Sequence, residues 1–215
     1  MNTIPIVERW LPSPQLVENA NVTRFLARFG VADYPAALAK AADDLPGFYE
    51  VLLAELGLRW DAPYSKLLDL SRGKAFARFF VDARFNVPGN CLDRHVDAGR
   101  GASTALDWEG EDGSVRSFTF AELRDEVRKL AGALRERGVG AGDAVGIFMP
   151  MVPEAAIALL AIGYIGGVAV PAFSGYGPDA LALRLHDAGA KMLLTADGVS
   201  RRGKPVPMKL SLIHI

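Results

Sequence analysis

The chain has 215 residues, of which 50% are hydrophobic and 23% charged; 24 basic side chains nearly cancel 25 acidic ones, for a formal net charge of −1. That composition suits a globular protein able to bury one sizeable core, in one or two domains. It excludes a long-range field that would gather nucleic acid or an anionic membrane, so any anion must be recognised locally. The lone cysteine, Cys91, excludes an internal disulfide and fits a reducing compartment; it reads as a small buried hydrophobe. The sequence does not open on a basic stretch followed by an apolar core and a cleavage site, so the expected compartment is cytoplasmic.

Residues 1–70 read as a helical extension, a set of short helices joined by turns. NANVTRFLARFG opens with an asparagine cap, places Val22, Phe25, Leu26 and Phe29 on one face, and stops at Gly30. YPAALAKAADD and PGFYEVLLAELG follow the same logic, the second with Pro46 near its first turn and Gly57 just past its end. None of these helices carries metal-spaced His or Cys, or paired carboxylates in an apolar setting. Residues 71–104 read as an irregular connector in which FNVPGN is a turn and CLDRHVDAG a short helix. His95 in that helix has no second His or Cys three or four residues on, so it reads as a solvated or capping histidine and not a metal ligand.

From Ala105 the signals sharpen. TALDW and VRSFTF flank GEDG as a hairpin, and Thr119 with Glu122 forms a capping box whose entry Phe118 and Leu123 can staple. Leu123, Val127, Leu130, Ala131 and Leu134 continue an apolar helical stripe that Gly138 ends. Then come the strand AVGIFM, a helix opened by Pro153, the strand VAVPAF, a helix opened by Gly177 and Pro178, and the strand KMLLTA. Alternation of this kind predicts a parallel sheet with right-handed crossovers, an α/β fold. The charge-free run Ala155–Phe173 has the length of a membrane span, but Gly166, Gly167 and Pro171 divide it into a buried helix and a central strand, so no membrane span is expected.

Open parallel sheets bind ligands outside the carboxyl ends of their strands. Those ends are Met149-Pro150-Met151, Phe173-Ser174-Gly175-Tyr176, and Asp197-Gly198 running into Ser200-Arg201-Arg202-Gly203-Lys204. The second combines an aromatic ring with a helix N-terminus, and the third sets three cations in four residues; together they suit a phosphorylated adenine nucleotide. Read singly, the second is equally a tight strand-to-helix turn and the third a solvated surface turn. SRGKAF and GRGAST lack the flanking glycine, Ser/Thr or strand of a phosphate-cradling loop, and the sequence has no GxGxxG, HExxH, GxSxG or CxxC. It contains no complete catalytic constellation and no metal site.

The ordered phrases W-E-G-x-D-G, x-F-T-F-x-E-L, G-V-x-x-G-D-x-V and M-P-M-x-P-E, spread over about Asn90 to Lys209, resemble the N-terminal part of the acetyl-CoA synthetase branch of AMP-forming acyl-CoA synthetases. The early helices, opening with W-L-P-S-P, resemble the N-terminal extension of that branch. The resemblance implies that residues 105–209 form the first βαβαβ part of the large N-terminal domain, cut off before the family's phosphate loop, adenine contacts, acyl pocket and adenylation lysine. It implies no catalytic residue in this chain. The family activates a carboxylic acid with ATP and Mg²⁺ to an acyl-adenylate and passes the acyl group to CoA.

What the resemblance carries onto this chain is a CoA site made by Phe173, Gly175, Arg201, Arg202, Gly203 and Lys204, with Arg201 first as a contact to the 3'-phosphate, then Lys204, then Phe173. Ser174 stands where the family has glycine, and Lys204 where it has arginine, keeping the charge but losing the bidentate fork. Residues 210–215, LSLIHI, do not continue the pattern and resemble a translated transposon end, so they are expected to be a non-native scar. Two rivals stand beside the ligase reading: a stand-alone α/β module that binds CoA or another adenine nucleotide, and an α/β protein with no ligand.

Overall fold

In the computed structural model the chain is described over residues 11–201 and 203–209. Trp10, Arg202 and the proposed scar at 210–215 lie outside the described residues. The chain divides into two compact units. One holds the described residues up to Leu58 together with Ala62–Ala83; the other holds Arg59–Asp61 and the described residues from Arg84 onward.

The first unit contains α1 (Pro14–Glu18), α2 (Asn21–Phe29), α3 (Tyr34–Asp43) and α4 (Leu45–Leu56). Local chemistry sets their ends. Asp33 and Asp44 accept the N–H groups of Ala36 and Gly47 at 2.8 and 2.9 Å, while Gly30 and Gly57 take the left-handed conformation just past α2 and α4. The expected asparagine cap of α2 is not formed: Ala20 occupies that position without a side-chain bond, because Asn19 closes α1 and Asn21 is already helical. Phe25, Phe29 and Phe48 pack with centroids 5.4 to 5.7 Å apart, and Lys40 donates to the Phe29 carbonyl at 2.6 Å, placing a cation at the C-terminal end of α2.

The end of the stretch read as helices and the start of the one read as irregular together form a hairpin. β1 (Lys66–Asp69) pairs antiparallel with β2 (Arg78–Val81), and the SRGKAF segment is their connection. Phe80 and Asp82 both adopt positive φ, at 52° and 65°, which breaks the alternation that would have announced a strand.

In the second unit, FNVPGN is the start of a helix and not a turn. Asn86 Oδ1 accepts the Gly89 N–H at 2.8 Å, and helical backbone runs from residue 87 with wide turns at Gly89–Asp93 and Val96–Arg100, the second broken at Gly99, which takes φ +78°. Asn90 and Leu92 turn inward, so Cys91 between them is exposed, which corrects the reading of that cysteine as buried. Asn90 is satisfied by exchanging bonds of 2.8 and 2.9 Å with the backbone of Arg59.

The hairpin of β3 (Thr104–Glu109) and β4 (Val115–Thr119) forms as expected, and the Thr119–Glu122 capping box opens α5 (Phe120–Glu136). Next come β5 (Ala144–Phe148), α6 (Pro153–Tyr164), β6 (Val168–Pro171), α7 (Pro178–Asp187) and β7 (Met192–Thr195). The three strands make a parallel sheet in the order β6-β5-β7, so the α/β expectation holds. Among the described residues no helix is long and apolar enough to cross a membrane.

Every residue of β5 is buried, and the strand serves two cores by alternation. Val145 and Ile147 join the main core with Val127, Ala131 and Leu134 of α5 and Ile157, Ala161 and Ile162 of α6. Phe148 joins a second, smaller core with Leu181 and Met208, packed by Ala172, Leu185, Leu193 and Val199. Gly146 points the same way as Phe148: a Cβ there would collide with Leu185 and stand 2.8 Å from Leu193 Cδ1. Met208 follows a last hairpin, β8 (Gly198–Arg201) and β9 (Lys204–Pro207), and its N–H closes back on the Asp197 carbonyl at 3.0 Å.

Two outcomes follow from this packing. Gly146→Val should lower stability by about 1–3 kcal/mol through overpacking, read as a fall in the denaturation midpoint with an unchanged m-value; a midpoint equal to that of the parent chain would mean α7 does not press on β5. The second concerns His95, whose ring meets Phe120 at a tilt of 43° with centroids 4.6 Å apart. Burial and then the cations of Arg100, Arg94 and Arg59 push its imidazole below the usual histidine value. The unfolded chain therefore takes up a proton that the folded one resists, so stability is full above about pH 6.5 and falls as pH drops toward the folded pKa. His95→Gln should flatten that part of the stability-against-pH curve, and an unaltered slope would contradict the assignment.

Candidate functional site at the carboxyl end of the sheet

The carboxyl ends of all three parallel strands open on one groove in the second unit, with a volume of about 640 Å³. Pro150, Met151 and Val152 enter it after β5, Ser174 after β6, and Gly198, Val199 and Ser200 after β7. Opposite them stands the tip of the β3–β4 hairpin, Trp108 to Asp112. The hairpin is tied there by two bonds. Trp108 Nε1–H donates to the Met151 carbonyl at 2.6 Å, and Arg116 pairs with Glu154 at 2.7 Å. Strand β5 lies between strands reached by connections running in opposite directions, the arrangement that leaves a crevice at strand ends.

Glu109, Glu111 and Asp112 make the hairpin wall acidic. The hydroxyl and N–H of Ser114 hold the Asp112 carboxyl below the usual carboxylate range. A phosphate is therefore disfavoured along this wall.

The predicted aromatic-glycine loop is a β-turn, closed by the Tyr176 N–H on the Phe173 carbonyl at 2.9 Å. Phe173 projects from it, 61% exposed. Gly175 needs no left-handed backbone; it leaves room for the ring as placed, because a Cβ there would lie 2.6 Å from Cε1 of Phe173 and push the ring aside. Ser174, in contrast, lines the groove. Beyond the turn, Gly177 caps α7 without a side-chain bond, which leaves the first-turn N–H groups of Asp179 and Ala180 without a capping partner from that residue, beside the carboxylate of Asp179.

The basic segment is not an open loop but the β8–β9 hairpin. Arg201 pairs directly with Lys204, and Gly203 takes φ +71° in the tight connection, a conformation suited to glycine. Lys204 is exposed. Arg202 lies outside the described residues, so its placement adds nothing here. The two predicted segments are joined through the small core: Ala172, just before Phe173, and Val199, two residues before Arg201, both pack on Phe148, Leu181 and Met208.

Sequence reasoning passed over Met208, Trp108 and Arg184. Met208 stands among polar and basic residues with no apolar pattern around it, although it is the plug of the hairpin at 2% exposed. Trp108 stood inside the quoted W-E-G phrase, but nothing local said that its indole would reach the β5–α6 turn. Arg184 sits eight residues after Tyr176, and no spacing rule joins a turn to the second turn of the following helix.

Residues 92–212 match the family model described as AMP-binding enzyme, and residues 34–91 match the one described as acetyl-coenzyme A synthetase N-terminus. The acetyl-coenzyme A synthetase of Streptomyces avermitilis is 42% identical over 208 residues, covering 97% of this chain and 30% of that protein. Its counterpart in Streptomyces coelicolor is 43% identical over the same shares. Among solved structures, the acetoacetyl-CoA synthetase from Streptomyces lividans superposes with a TM-score of 0.87 at 27% identity, over 95% of this chain and 32% of that one. The chain thus spans about 30% of the length of the curated relatives it matches. With more than half of its residues inside the first match, and with the parallel sheet and the quoted phrases in place, the chain belongs to the AMP-binding enzyme family.

Proposed function

We propose that this chain is the front part of a cytoplasmic acyl-CoA synthetase, which activates a carboxylic acid with ATP and Mg²⁺ and transfers the acyl group to CoA. Its own contribution is one side of the CoA site. The observation that carries this reading is the seating of the Phe173 turn and the β8–β9 hairpin on one small core at the carboxyl end of the sheet. An exposed ring suits the flat face of adenine, by stacking worth about 1–3 kcal/mol. Arg201 and Lys204, opposite each other in the β8–β9 register, are the cations we assign to phosphate, and the acidic β3–β4 tip is unsuited to it.

The stand-alone module is the weaker reading, because the relatives that match nearly the whole of this chain are acetyl-coenzyme A synthetases of much greater length. The acid substrate is read as small-molecule carboxylate without further choice, since none of the residues described above forms an acyl pocket.

Calorimetric titration with CoA and with dephospho-CoA tests the assignment. Arg201→Ala should weaken CoA by roughly tenfold or more, the range for a lost hydrogen bond to a charged group, and leave dephospho-CoA almost unchanged. An equal loss for both ligands would remove Arg201 from the 3'-phosphate. The same preparation should show no carboxylate-dependent exchange between ATP and pyrophosphate; measurable exchange would mean that adenylating groups reside in this chain.

A further inference from the structure

We infer that Tyr176 and Arg184 are positioning residues that fix the Phe173 ring as a platform for a purine base. The inference rests on the CoA reading above and deepens it. Phe173 has no place in either apolar core, and at 61% exposed it would be expected to sample several rotamers. Two neighbours restrict it, and a third residue holds one of them. Gly175 lets the ring lie against the backbone of its own turn, since any Cβ at that position would strike it. Tyr176 meets it edge to face, with centroids 5.7 Å apart and planes at 79°. Arg184 lies over the Tyr176 ring at 4.2 Å, within cation–π range.

Arg184 is itself held. Its Nη1 donates to the Ala180 carbonyl at 2.8 Å, one turn back on α7. The helix is anchored by Leu181, 1% exposed in the small core. A rigid helix therefore fixes a guanidinium, the guanidinium fixes a tyrosine ring, and the tyrosine ring fixes the phenylalanine edge on. Such a sequence of contacts leaves part of the Phe173 ring open to solvent and lowers the entropy lost when a base stacks on it. Arg184 is thereby occupied with the platform and is not assigned a phosphate.

The test uses the 215-residue chain with ¹³C-labelled phenylalanine. In ligand-free protein, Arg184→Ala should shift the Phe173 ring resonances, and Arg184→Lys, which keeps a cation, should shift them less. Affinity for CoA should fall roughly two- to fivefold in Arg184→Ala, the equivalent of one exposed cation–π contact, and similarly in Tyr176→Leu. Affinity for pantetheine, which has no adenine, should not change. If Phe173→Ala weakens CoA while Arg184→Ala alters neither ring resonance nor affinity, the positioning role is overturned and the CoA site stands. A ring shift without an affinity change, or a loss shared with pantetheine, overturns it as well. If Phe173→Ala also leaves CoA affinity unchanged, the CoA site itself is lost along with the inference.

Discussion

Burial of β5 on both faces is the constraint from which the second unit follows. A strand of five buried residues must supply apolar surface in two opposite directions, and the alternation Val145 and Ile147 against Gly146 and Phe148 does so. The larger face takes α5 and α6; the smaller takes α7. Gly146 sets how near α7 can come, because Leu185 and Leu193 occupy the volume where its side chain would stand. Parallel pairing on both edges then brings three carboxyl ends to one side. The groove is a consequence of that arrangement before any residue in it is chosen.

Residues at the strand ends are positioned by the small core more than by the sheet itself. Phe148, Leu181 and Met208 are each almost fully buried, yet they come from a strand, a helix and the segment after the last hairpin. By holding Ala172 and Val199 they set the Phe173 turn and the Arg201–Lys204 hairpin in register with each other. The arrangement separates support from surface: buried apolar side chains hold the backbone, while Phe173 and Lys204 stay exposed, as the proposed CoA site requires. Charge is divided as well, with carboxylates on the β3–β4 tip and cations on the β8–β9 hairpin.

Much of this was legible in the sequence where local chemistry decides the outcome. The capping box at Thr119 and Glu122, the stripe from Leu123 to Leu134, and the three apolar strands with their proline- and glycine-marked helix starts all form as read. The failures lie where a contact from afar decides. The β1–β2 hairpin was hidden by adjacent phenylalanines and by positive φ at Phe80 and Asp82. Cys91 was misread because its neighbours Asn90 and Leu92, not its own polarity, choose the buried face. Gly175 entered only as part of the implied CoA site, and nothing in the sequence showed that the Phe173 ring would lie where its Cβ would stand.

The matching relatives extend well beyond this chain, and the central claim of the proposed function is that CoA lies at the carboxyl end of the sheet. Backbone amide shifts recorded during titration of the ¹⁵N-labelled chain with CoA test that claim most directly. The account predicts saturable perturbations concentrated at Phe173 to Tyr176 and at Gly203 and Lys204, with the helices of the first unit unmoved. Perturbations confined to the first unit, or to the acidic tip of the β3–β4 hairpin, would contradict it.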